Sequence, residues 1–61
     1  MSIATVLTII SIINGLVTIG KEAPAVIDEA KSLLAKVAPH VEGAGDEAKA
    51  AFAQVQARLP P

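Results

Sequence analysis

The chain has no cysteine, no tryptophan and no tyrosine, and only one phenylalanine, Phe52. Without cysteine it has no disulfide staple, no thiolate metal ligand and no cysteine nucleophile. Without a basic block or stacking rings it lacks what nucleic-acid binding uses. Five basic and six acidic residues leave a net charge of -1, so attraction to anionic lipid headgroups is weak as well. Charge is missing altogether from the first third: every Asp, Glu, Lys and Arg lies at or after Lys21. The sequence shows no phosphate loop, nucleophile elbow or triad set. Asp28-Glu29 and Asp46-Glu47 are neighbours in sequence, but helical neighbours point about 100° apart, and general acid–base work needs a pocket to tune such groups. His40, the only histidine, has Glu42, Asp46 and Glu47 nearby in sequence. A metal needs three or four converging ligands, and His40 reads as a solvated loop residue. The expectation is a protein that is not an enzyme, holds no metal or cofactor, and binds neither nucleic acid nor a small-molecule substrate.

What is present is apolar: 52% of the 61 residues are hydrophobic. A chain this short buries little surface, and its fold needs support from oligomerisation, a membrane or regular helix packing. Residues 2–19 are Ile, Val and Leu broken by Ser2, Thr5, Thr8, Ser11, Asn14 and Thr18. Asn14-Gly15 is a hairpin turn signal between β-branched runs. Against it, polar residues at 5, 8 and 11 recur every three positions rather than every two, and the second strand would be short. Period decides for a helix.

Such a helix is about 27 Å long at 1.5 Å per residue, close to a hydrocarbon core of about 30 Å. No charge interrupts it, and Ser and Thr can return their hydroxyls to its own carbonyls. At about 100° per residue, Ala4, Thr8, Ser11, Gly15 and Thr18 share an arc of about 80°, with Asn14 on its border. Small residues in register allow close backbone approach and interhelical hydrogen bonds, which drive association in lipid. These six form the expected helix–helix interface. A segment this hydrophobic exceeds what the rest of the chain can bury. It is therefore expected either in a bilayer or in a dry interior made with copies or a partner. The missing aromatic belt weighs on the protein side.

A cleaved signal peptide is a competing reading, because Ala23-Pro24-Ala25 has small-x-small form. No basic n-region precedes the core, and Lys21 and Glu22 separate it from that site. The expected location is therefore membrane-associated or within a large particle, not a cleaved secreted protein. Topology stays open, since Lys21 is offset by Glu22.

Residues 24–38 predict a second helix. Pro24 suits the first turn, and Pro39 is expected to end it. Val26, Ile27, Ala30, Leu33, Leu34 and Val37 form its apolar stripe. Residues 39–45 read as a loop by their proline and glycines. Residues 46–59 predict a third helix, with Asp46 and Glu47 at its positive end and Arg58 at its negative end. Its weaker apolar face is Ala48, Ala51, Phe52, Val55 and Leu59, and Pro60-Pro61 stops it. The fold expected is all-α: a hydrophobic N-terminal helix over residues 1–20, a link at 20–23, and a charged amphipathic helical hairpin within 21–61. Oligomerisation is expected to stabilise it. The amphipathic faces read as packing surfaces, since surface-binding helices are usually rich in Lys and Arg.

In layout, an uncharged run over residues 2–20 followed by a charged helical tail from Lys21 resembles small phage-encoded membrane proteins, both virion-associated and holin-like. The resemblance implies a multi-copy structural component that embeds its first helix in a bilayer or helical channel, with homo-oligomer or assembly partners and membrane lipid. Its alternatives are a membrane pore-former of holin or small-toxin type, and an accessory subunit of a larger membrane complex. Holin-like proteins often end in a basic tail. Gln54 to Pro61 carries only Arg58, which places the structural role ahead of lysis.

Overall fold

The structure, a computed structural model, describes residues 1–59. Pro60 and Pro61, read above as the stop of the third helix, lie outside the described residues. The fold is all-α among those described: α1 at Ile3–Gly20, α2 at Pro24–Val41, a 3-10 turn at Glu42–Ala44, and α3 at Asp46–Arg58.

Ser2 starts α1. Its Oγ accepts the backbone N–H of Thr5 at 3.1 Å, satisfying one of the free amides of the first turn. Asn14 and Gly15 sit inside the helix, so the hairpin does not form. The reason is tertiary. Val6, Ile10, Ile13 and Val17, at helical spacing, all fall on one buried face, each at most 3% exposed. A turn at Asn14-Gly15 would split that face. Thr8 and Thr18 donate their hydroxyls to the carbonyls of Ala4 and Asn14, at 2.8 and 3.1 Å. The polar residues of α1 are thus partly served by α1 itself.

The chain reverses over residues 21–23. Glu22 and Ala23 donate to the carbonyls of Ile19 and Gly20, closing the helix end with tight i→i+3 bonds. Gly20 is buried against the start of α2. A Cβ there would lie 2.6 Å from Ile27 Cγ1 and 3.2 Å from the Ile27 backbone nitrogen, so the approach requires glycine. Pro24 occupies the first turn of α2, as the sequence implies.

Pro39 does not end α2. The helix runs on to Val41, with Pro39 inside it, and a 3-10 turn follows. The expected 39–45 loop is therefore mostly helical, and His40 stands exposed in the last turn of α2 rather than in a loop. Burial explains the extension. The stripe Ala30, Leu34, Val37 continues in register to Val41, and Ala44 follows; both are 5% exposed. Pro39 is exposed and close to the helix end. The Ala35 carbonyl it leaves without an amide belongs to an exposed residue that water can reach. The real break is Gly45, with φ +94°, a backbone region that side chains rarely enter.

The three helices run up, down and up. The end of α1, at Val17 and Gly20, meets the start of α2, at Pro24 and Ile27, while Ile9 and Ile12 share a groove with Leu33, Lys36 and Val37 further along, which sets α2 antiparallel to α1. Leu7, Ser11 and Asn14 share another with Ala51, Gln54 and Arg58, and Arg58 at the end of α3 meets Asn14 and Thr18 in the second half of α1, which sets α3 parallel to α1. The core joins Val6, Ile10, Ile13 and Val17 to Ala30, Leu34, Val37, Val41, Ala44, Ala48 and Val55. Alanines at 30, 44 and 48 let the backbones approach. Both α2 and α3 pack mainly on α1 and only lightly on each other. The radius of gyration is 10.9 Å, against about 10.5 Å for a folded chain of this length.

Candidate functional site

The candidate site is the outward face of α1. Burial picks out one side of that helix, and at about 100° per residue the centre of the small-residue stripe lies about 160° away from it. Ala4, Thr8, Ser11, Asn14, Gly15 and Thr18 are all exposed. Around them stand Ile3, Ile12 and Ile19, 53%, 54% and 60% exposed. The face carries no charge of its own over its full length. A Cβ at Gly15 would meet nothing within 4 Å, so the middle of the stripe is open. The sequence left open which side of α1 turns inward. The structure turns the bulky side in and leaves the small residues out.

Two of the six are engaged by another helix. Arg58, at the end of α3, donates from Nη1 to Asn14 Oδ1 and from Nη2 to Thr18 Oγ1, the latter at 2.9 Å. Sequence reasoning assigned Arg58 only a role at the negative end of its own helix. Its partners lie 44 and 40 residues away in the chain, and no local pattern signals such a contact. Among the described residues these are the only side-chain hydrogen bonds that join one helix to another.

Of the amphipathic packing residues named from sequence, Ile27, Ala30, Leu34, Val37 and Val55 are buried, and Val26, Leu33, Phe52 and Leu59 are half-buried. Ala48, on the face expected for the third helix, is buried as well and Ala51 is half-buried, and the structure adds Val41 and Ala44 to the core. Val41 and Ala44 were missed because Pro39 masked the continuing period.

An open cleft of about 420 Å³ lies where α1 meets α2, lined by Val17, Gly20, Lys21, Pro24, Ile27, Asp28 and Arg58. Its three charged residues are exposed and of mixed sign. Among the described residues no polar or charged side chain is buried, and no cluster of three or more His, Cys, Asp or Glu could hold a metal. Pocket chemistry draws on desolvated groups, and the described residues that line this cleft are open to solvent at each charged position. No protein-family model, curated protein or solved structure matches the chain. By length and composition alone, α1 is able to cross a membrane: it has 18 residues of mean hydropathy 2.1.

Proposed function

We propose that this protein is a non-enzymatic structural component of a multi-copy assembly, and that it embeds α1 in a bilayer, with the small-residue face of α1 joining copies. The observation that carries the reading is the outward side of α1. It is a full-length uncharged surface, with Ile3, Ile12 and Ile19 set among small and hydroxyl-bearing residues, that α2 and α3 leave exposed apart from the Arg58 contact at Asn14 and Thr18. A core helix of a water-soluble protein of the same length and composition would be mostly covered. Here only 28% of the span is buried. Close backbone approach at Ala4, Ser11 and Gly15 supplies the packing that helix association in lipid depends on. A phage virion or a comparable membrane particle is the setting the chain layout suggests.

Crosslinking in membranes tests the reading. The chain should give a ladder of oligomers. Gly15→Leu should collapse it to monomer, because the new side chain blocks approach at the centre of the stripe. A ladder that survives Gly15→Leu would remove the stripe as the contact face. Growth and leakage after induced expression separate this role from a pore: an inert, non-leaky product fits a structural subunit, whereas rapid leak would assign pore formation instead.

A further inference from the structure

We infer that the three-helix bundle is a closed form, and that α1 must part from α2 and α3, about a hinge at residues 21–23, before it can cross a bilayer. The inference rests on the membrane reading above and adds the step that reading requires.

Three observations lead to it. First, α1 is only as long as the hydrocarbon core is thick, so it has no length to spare outside. Second, α2 lies antiparallel along α1 and carries Asp28, Glu29, Lys31 and Lys36, all exposed. A bundle inserted intact would take these charges to bilayer depth, where ionised side chains are expensive. Third, Arg58 is fixed to Asn14 and Thr18, in the second half of α1. Docked there, its guanidinium would enter the membrane with the helix. The packed and the inserted forms exclude one another.

The bonds that must be given up are of one kind. The buried side of α1 is Val6, Ile10, Ile13, Val17 and Gly20, and lipid tails replace an apolar protein surface at little loss. The backbone bonds of α1 are internal to the helix and survive the transfer. Among the described residues the one polar side-chain attachment is the Arg58 pair, which acts as a latch at the edge of the apolar contact. The hinge carries Lys21 and Glu22, the first charges of the chain, which would come to rest at the membrane surface once α1 is in. Hinges of this type are a few residues at element ends that absorb the backbone change.

The absence of cysteine makes the test clean. Ile12 and Lys36 are exposed and line the same groove between α1 and α2. The full chain carrying Ile12→Cys and Lys36→Cys is bridged with a short, reducible thiol-to-thiol linker. It is then mixed with vesicles of phosphatidylcholine and phosphatidylglycerol and washed at alkaline pH. The unbridged protein should stay with the vesicles, the bridged protein should be washed off, and reduction of the linker should restore retention. Equal retention of bridged and unbridged protein would overturn the opening step while leaving the membrane reading in place. Loss of both from the vesicles would overturn the membrane reading and the inference with it. Arg58→Ala should speed insertion of the unbridged chain several-fold, and an unchanged rate would rule out the latch.

Discussion

Gly20 and Gly15 lie on the same helix and should respond in opposite ways to a side chain. At Gly20 a Cβ runs into Ile27. Gly20→Ala should therefore destabilise the fold by about 1–3 kcal/mol, the usual cost of overpacking. Urea unfolding would read the loss, and trimming the obstacle with Ile27→Ala should recover part of it. At Gly15 nothing lies within 4 Å. Gly15→Leu should leave the monomer's fold intact, or firmer by about 0.5–1 kcal/mol, because glycine is a poor helix interior residue. Circular dichroism should show helix kept while crosslinked oligomers disappear. Arg58 gives a third contrast: its two hydrogen bonds are exposed to solvent, and Arg58→Ala should lower stability by only about 1 kcal/mol, because water competes for both partners. The return of the Thr8 and Thr18 hydroxyls to their own helix was legible in the sequence, because that bond is local. The Arg58 pair was not, because its partners meet only after three helices have docked.

Among the helices, α2 shows where punctuation and period compete. Proline in a helix interior costs about 3 kcal/mol, and reading Pro39 as a stop follows from that rule. The buried pair Val41 and Ala44 outweighs it, near an end where the freed carbonyl can find water. Pro39→Ala should therefore raise the melting temperature, since the same helix gains an amide for the Ala35 carbonyl. A lowered melting temperature would mean that the proline's restriction of the unfolded chain matters more than the lost bond. The three helices and the start of α2 at Pro24 were legible from period and capping chemistry. The end of α2 was legible only by following Ala30, Leu34, Val37 and Val41 past the proline. For α1 the period was too weak to choose an inner side, because apolar residues surround most of it. Burial chose Val6, Ile10, Ile13 and Val17 because α2 and α3 offer small alanines where bulky side chains can fit.

Taken together, the helices partly correct the expectation that the chain cannot cover its first segment. It covers one side of α1 and leaves the other bare. Such a bundle is marginal by size, since cores below about 70–80 residues rarely supply more than about 3–5 kcal/mol. Ile13→Ala, at a fully buried position, removes about 2–5 kcal/mol. It should abolish cooperative unfolding in water altogether. Marginal stability also suits a molecule that has to open. Each charge of α2 carried into the bilayer centre would cost at least about 2.5 kcal/mol, so insertion of the closed bundle is the more costly route. Everything proposed for this molecule depends on α1 crossing a membrane. The most direct test of that crossing is alkaline carbonate washing of membranes from cells that express the chain. The protein should stay in the membrane pellet as a crosslinkable oligomer. Complete release into the supernatant as a monomer would contradict the crossing.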